Sequence, residues 1–365
     1  MTTWSTGNVR WRANRAMPRL AASTRSYRSP GPPGDLFWSP TFRTLPVQHI
    51  LQPGEIEALD QIHFPRVRLP QPAALFQERA ARLRHLAEGS PIADYLRFAA
   101  RLVEAQQHAV AAAATPAPLA AGIVERANAH GMPLLPASEN LPATWRDTLR
   151  RLLAELQGDI AVPAGLSPLF AHLAALDDSA LDALARQVLA DNIGREDLAA
   201  APLVMAALQV PFSLLAASLD ENVVPYAEPA TICPVCASAP VASVQRIGGE
   251  AGGHRYLHCG TCATEWHMVR VKCSHCESTR GVRYQGVEDA AATPAGKADI
   301  RKPVLAETCD QCHTYRKLVN QEQDPFVEPL ADDLATLTLD LLMGETAFAR
   351  ASGNPLLAIE KPLVA

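Results

Sequence analysis

The chain has eight cysteines, and they fall into four pairs of identical spacing: Cys233 and Cys236, Cys259 and Cys262, Cys273 and Cys276, Cys309 and Cys312. Two residues between cysteines form a tight knuckle that aims both thiolates at one ion, and a second knuckle completes a tetrahedral shell. The pattern predicts two four-cysteine metal sites with no thiol left over. Four thiolates suit zinc and equally a rubredoxin-like single iron, and spacing does not separate the two. Disulfides are the weaker reading, because a chain of 365 residues needs no staples and its first residues lack the apolar stretch of a secretory signal. A thioredoxin-like dithiol would explain one pair beside a strand–helix unit, but not four pairs in a helix-poor region.

Loop lengths bear on how the knuckles pair. The intervals between successive knuckles are 22, 10 and 32 residues. Closing the first knuckle with the second and the third with the fourth gives two hairpin-like ribbons in series, connected by residues 263–272. An interleaved, cross-braced arrangement stays open. Five histidines, His254, His258, His267, His275 and His313, crowd the same region. Eight thiolates already fill two shells, so the histidines are expected to orient ligands or to face solvent. Asp332, Asp333 and Asp340 are expected to face solvent on a last helix. No nucleophile–base–acid set, phosphate loop or paired carboxylates stand in a catalytic frame, and the reading is a non-enzyme.

The elements that must hold these cysteines change character near residue 226. Before it, from about residue 50, the sequence is rich in leucine and alanine with helical periodicity and has no cysteine. One helix is expected over about 72–88 with Leu75, Phe76, Leu83 and Leu86 inward. Another follows Ser90 and Pro91 with Leu96, Ala99, Leu102 and Val103 on one face. Further helical patterns lie near 118–130, 143–157, 166–191 and 203–219. After it come short strands, at 254–258 and 265–271, a polar loop at 288–302, and a final helical pattern through Leu334, Leu337 and Leu341. The expected fold is mainly α. It comprises a disordered arginine-rich extension over 1–47, an all-helical domain over 48–226, tandem rubredoxin-like or zinc-ribbon four-cysteine modules over 227–323, and a C-terminal helix and tail over 324–365.

Charge argues against two function classes. Residues 231–320 hold 11 Lys or Arg and 8 Asp or Glu; two divalent ions with eight thiolates bring that region to about -1, which is no phosphate-binding stripe. Arg255, Arg270, Lys272, Arg280 and Arg283 are expected to offset thiolate charge. The longest uncharged stretch, Leu198 to Leu219, has 22 residues and is long enough to cross a bilayer. Its alanines, Pro202 and Pro211 favour a helix pair buried in the helical domain, hence no membrane insertion. The first 34 residues carry six arginines and no acid and cannot build a core.

The run from Cys233 to Cys276, with Cys-Pro-Val-Cys at its start, Arg255-Tyr-Leu-His-Cys259, and Thr264 through Cys273, resembles the formate dehydrogenase accessory protein family FdhE. Glu307-Thr-Cys-Asp-Gln-Cys312 with Tyr315 and Lys317, Ala331-Asp-Asp-Leu, and Asn354-Pro355 are similar to the same family. So are Leu75-Phe76, Arg79-Ala80, Arg82-Leu83-Arg84, Asp94-Tyr-Leu and Ala105-Gln106 in the helical part. The resemblance covers roughly residues 48–357. It implies a non-catalytic cytoplasmic factor needed to form active respiratory formate dehydrogenase. Such a factor contacts the enzyme's catalytic subunit and carries rubredoxin-like iron on the eight cysteines, with zinc the second choice. A one-electron carrier and a nucleic-acid adaptor are the rival readings. The chain departs from rubredoxin usage in one respect: no knuckle is followed by glycine.

Overall fold

The computed structural model describes residues 64–160, 162–225, 230–287 and 302–357. The expected extension over 1–47, most of the loop at 288–302, part of the junction near 226 and the end of the tail lie outside these residues.

Seven α-helices among the described residues precede the first cysteine: α1 (Pro72–Ala87), α2 (Ala93–Ala111), α3 (Ala121–His130), α4 (Thr144–Leu156), α5 (Ser167–Ala175), α6 (Asp178–Leu189) and α7 (Ala201–Ala217). Pro72 starts α1, where its missing N–H costs nothing. The apolar stripes then meet as the periodicity requires: Phe76 and Leu83 of α1, Leu96, Leu102 and Val103 of α2, and Trp145, Leu149 and Leu152 of α4 are buried in one core. The single helix expected over 166–191 is two, because the Asp177 side chain accepts from the Ala180 N–H and starts α6 afresh. The uncharged stretch makes one helix, α7, rather than a pair. Pro211 lies inside it, and most of the helix is buried. No other described helix is long and apolar enough to cross a membrane.

The expectation of a mainly α protein with two separate ribbons is overturned by one mixed sheet of eight strands, seven from the C-terminal half and one, the first, from ahead of α1. Its strands are β1 (Val67–Arg68), β2 (Pro240–Gln245), β3 (Arg255–Cys259), β4 (Glu265–His267), β5 (Val282–Gln285), β6 (Val304–Cys309), β7 (Thr314–Asn320) and β8 (Ala349–Arg350). The spatial order is β1-β4-β3-β2-β7-β6-β5, with β8 alongside β7. Each ribbon is antiparallel within itself, β2–β3–β4 and β5–β6–β7. A parallel pairing of β2 with β7, Ser243 opposite Leu318, fuses them. A parallel partner lies far away in sequence by necessity, which is why local patterning gives no sign of it. The expected single C-terminal helix is likewise two short ones, α8 (Pro329–Ala335) and α9 (Leu337–Met343), interrupted at Thr336.

At β7 the short helices α8 and α9 cover one face of the sheet, and side chains alternate between that face and the opposite one. Along β7, Tyr315, Lys317 and Val319 point toward α8 and α9, where Val319 packs with Leu339 and Met343. Arg316 points the other way, to Ser274 Oγ at 3.0 Å and the Pro240 carbonyl.

Candidate metal centres

Each knuckle is a closed turn set at the end of a strand or ahead of one. In the first, the Cys233 N–H donates to the Ser238 carbonyl at 2.9 Å and the Ala237 N–H donates to the Cys233 carbonyl at 2.9 Å. The third repeats it: Cys273 N–H to Ser278 carbonyl, 2.8 Å, and Glu277 N–H to Cys273 carbonyl, 3.0 Å. The residue after each second cysteine, Ala237, Ala263, Glu277 or His313, has φ of 63°, 59°, 59° or 52° respectively. This is the left-handed region, which costs a residue with a Cβ roughly 1–2 kcal/mol relative to glycine. The knuckle thus imposes its geometry without the glycine that would relieve it.

The structure brings together the serial partners. The sulfurs of Cys233, Cys236, Cys259 and Cys262 lie within 4.8 Å of one another, and so do those of Cys273, Cys276, Cys309 and Cys312. In the first quartet Cys233 to Cys262 is 3.5 Å and Cys236 to Cys259 is 3.4 Å; in the second, Cys273 to Cys312 is 3.8 Å and Cys276 to Cys309 is 3.7 Å. A tetrahedral ion with metal–sulfur bonds of about 2.3 Å needs edges of about 3.8 Å. These two edges of each quartet lie within a few tenths of an ångström of that value, and with all sulfurs within 4.8 Å each quartet suits one four-coordinate zinc or iron.

Surrounding donors reinforce the sulfurs. The N–H groups of Thr261 and Cys262 point at Cys259 Sγ at 3.4 Å, and that of His275 at Cys273 Sγ at 3.4 Å. Thr264 and Thr314 occupy the same place in the two quartets, their hydroxyls 3.2 Å from Cys262 Sγ and 3.1 Å from Cys312 Sγ. Without an ion the thiols cannot all ionise. Burial pushes Cys233 and Cys262 well up, whereas at Cys236 hydrogen bonds from the neighbouring thiols overcome burial and hold the thiolate well down. In the second quartet burial lifts Cys273 to about 12 and raises Cys276, while at Cys312 burial is outweighed by hydrogen bonds from Thr314 and Cys276, which lower it. A bound cation is what allows the remaining sulfurs to shed their protons.

The two centres sit in different surroundings. Cys233, Cys236, Cys259 and Cys262 belong to the main core, with Val235 and Trp266. A loop of the helical part lies along the first knuckle: the N–H groups of Leu134, Leu135 and Ala137 donate to the carbonyls of Pro234, Val235 and Cys236 at 3.1, 2.8 and 2.9 Å. From α2, buried Gln106 donates to Gln209 Oε1 of α7 at 2.8 Å, and Gln209 donates to the Gly260 carbonyl in the second knuckle at 2.7 Å. The second quartet belongs to none of the apolar clusters of the described residues. Cys276 is exposed and Cys312 is half-buried.

The histidines divide accordingly. His258, buried beside Cys259, holds Glu265 Oε1 through Nδ1 at 3.0 Å. Glu265 also takes Arg68 at 2.5 Å and Arg246; burial alone would raise its carboxyl, but Arg246 and His258 hold it well below the usual range. His267 packs against His254 and Tyr256, and burial, followed by the nearby positive charges, lowers its pKa to about 4. His275 and His313 are exposed at the second quartet.

Two expectations about charge need correction. Arg255 is 1% exposed and bonds to Glu307 Oε2 at 2.5 Å and to the Arg270 and Lys272 carbonyls at 3.3 and 2.8 Å. It thus ties β3 to β6 and to the segment between the ribbons, and Arg283 and Lys272 pair with Asp310 and Glu277. Arg255, Arg283 and Lys272 thus direct their charge to carboxylates and carbonyls. Asp332 and Asp333 do not face solvent. Asp332 is held by Arg82 of α1 at 2.6 and 2.9 Å, and fully buried Asp333 takes Arg350 at 2.5 Å and Asn354 at 2.7 Å, with Lys317 at 3.6 Å. Asp340 is half-buried, accepting from Lys317 at 2.6 Å and Tyr315 at 2.8 Å. Arg79 reaches Glu328, which caps α8 by accepting from the Leu330 and Ala331 N–H groups. The signal for this network is readable in retrospect: Arg79 and Arg82 share the inward stripe of α1 with Phe76 and Leu83, and arginines there need acids.

Three family profiles match the chain in succession: "FdhE, N-terminal" over residues 64–228, "FdhE, central domain" over 232–270 and "FdhE, C-terminal domain" over 271–357. The chain belongs to the FdhE family. The FdhE homolog of Citrobacter koseri is 37% identical over 323 residues, spanning 87% of this chain and 98% of the relative. That of Edwardsiella ictaluri is 40% identical over 292 residues, spanning 79% and 90%. The crystal structure of the FdhE protein from Pseudomonas aeruginosa matches with a TM-score of 0.70 at 35% identity, covering 80% of this chain and 99% of that one. Each quartet is drawn from its own stretch: the central FdhE region supplies Cys233 to Cys262, and the C-terminal FdhE region supplies Cys273 to Cys312.

Proposed function

We propose that the chain is an accessory factor needed to form active respiratory formate dehydrogenase, a non-enzyme that binds the catalytic subunit of that enzyme in the cytoplasm. The supporting observation is FdhE family membership across nearly all the described residues, joined to two cysteine quartets whose spacing suits metal. In this reading all eight cysteines, Cys233, Cys236, Cys259, Cys262, Cys273, Cys276, Cys309 and Cys312, are ligands, holding two rubredoxin-like irons, with zinc the second choice. The working parts are a helical domain over 48–226, the metal-binding module over 227–323 and the C-terminal helical segment beyond. The metals brace the module, and the chain's residues orient them through the N–H groups at Cys259 and Cys273 and the hydroxyls at Cys262 and Cys312. Nucleic acid is not the partner, since the module carries no basic stripe.

Deleting the gene and assaying formate dehydrogenase under respiratory growth tests this. Activity is expected to vanish and to return with the gene; full activity in the deletion strain would contradict the reading. A one-electron carrier is the second reading, favoured only by the exposure of Cys276 in the second quartet. It requires a reversible one-electron couple in the isolated protein.

A further inference from the structure

We infer that the two centres are unequal in exchange: the second quartet is a port at which a thiophilic metal ion enters and leaves the folded protein, while the first keeps its ion. This rests on the two-metal reading above and goes beyond it by assigning the sites different tasks. The ribbons follow one plan, so corresponding positions can be compared directly. Val235 and His275 both lie between the cysteines of a knuckle, and Ala263 and His313 both follow a second cysteine. In the first quartet these places are apolar and buried, Val235 at 2% and Ala263 at 8% exposure. In the second they are imidazoles, both exposed, His275 next to the exposed Cys276 and His313 next to the half-buried Cys312.

Opening the first centre means parting Val235, Cys233 and Cys262 from the main core and breaking three backbone hydrogen bonds to the 134–137 loop. Opening the second disturbs no apolar cluster among the described residues. Ligand exchange at a tetrahedral thiolate ion needs an incoming donor to reach the metal as a sulfur leaves. His275 and His313 place imidazole nitrogens at the rim, a ligand type suited to receive zinc or ferrous iron in passage. Each sulfur released takes a proton from water as its replacement binds, and no electrons change hands.

The test is metal release from full-length protein loaded with two zinc ions, challenged with a chromogenic chelator without denaturant while circular dichroism follows the fold. One equivalent should leave at least about tenfold faster than the other, with the helical signal unchanged, since core opening is the slower route. Cys276→Ser should remove the fast equivalent. The double variant His275→Val with His313→Ala keeps every ligand and should slow the fast phase several-fold, leaving the slow phase as it was. Release of both ions in a single phase would overturn the inference. So would a fast phase that persists in Cys276→Ser, or one unchanged in the double variant. Protein that folds without binding zinc at all would instead defeat the two-metal reading.

Discussion

The two ribbons share strand order, knuckle geometry and even a threonine two residues after the last cysteine, yet one buries all four sulfurs in the core and the other buries Cys273 and Cys309 but leaves Cys276 exposed and Cys312 half-buried. The sealing has an identifiable source. The first knuckle lends its carbonyls to a loop from the helical part and the second lends Gly260 to Gln209, so the helices and the first centre fold as one body. The second centre meets the rest through its strands and through Glu277, which accepts from the Ala230 N–H at 2.8 Å. The parallel β2–β7 pairing and the buried Arg255–Glu307 pair join it to the first ribbon, and Lys317 and Arg350 join it to α8 and α9. A duplicated metal plan thus yields two environments because different neighbours were packed against it.

The largest expected effect separates the quartets most sharply. Structural zinc contributes apparent energies of roughly 10–16 kcal/mol in small peptides, so removing both ions should unfold the sheet. Cys236→Ser should expose α7 and the core to hydrogen exchange, whereas Cys276→Ser should leave helical protection intact; equal loss in both variants would erase the distinction.

Next in size are the buried pairs that attach the second ribbon and the C-terminal helices. Asp333→Ala removes the fully buried carboxylate that Lys317 and Arg350 share, leaving them Asp340 alone, and should cost about 2–3 kcal/mol in chemical denaturation. Arg82→Ala should likewise take the guanidinium from Asp332 and loosen α1 from α8. A cost under about 1 kcal/mol, the level of a surface pair, would contradict their role.

Acid should weaken metal binding at both centres. Cys233, Cys262 and Cys273 are shifted upward without metal, so each gives up a proton on binding, and lower pH favours the metal-free form. Calorimetry in buffers of differing ionisation heat should report proton release, and its absence would mean the thiols are not ligands. His267 adds a term of the same sign. Its folded pKa of about 4 lies below the unfolded value of about 6.5, so its contribution is present above that value and is lost as pH falls toward 4.

The smallest effect concerns the left-handed residues. Ala237→Gly and Ala263→Gly should each stabilise by up to about 1 kcal/mol, read as a raised melting temperature, since glycine accepts this conformation freely. A drop would show that the Cβ packing outweighs the backbone strain.

The cysteine quartets were legible because knuckle spacing is local chemistry, and four helices of the bundle were legible because a stripe such as Leu96, Ala99, Leu102 and Val103 repeats with the helical period. What escaped was non-local. Nothing near β2 announces β7 as its parallel partner, and the break at Asp177 looks like continued helix until its capping bond to Ala180 is seen. Asp332 and Asp333 read as surface acids because their partners Arg82 and Arg350 come from opposite ends of the chain. The sequence fragments that carried the family resemblance, Arg79, Arg82, Lys317, Ala331-Asp-Asp-Leu and Asn354, meet in that one buried network.

The most direct test of the two-centre account is elemental analysis with optical spectroscopy on protein purified without oxygen. The account predicts two metal ions per chain, and with iron the intense thiolate-to-iron charge-transfer bands of a four-sulfur site. A folded chain holding no metal would contradict it.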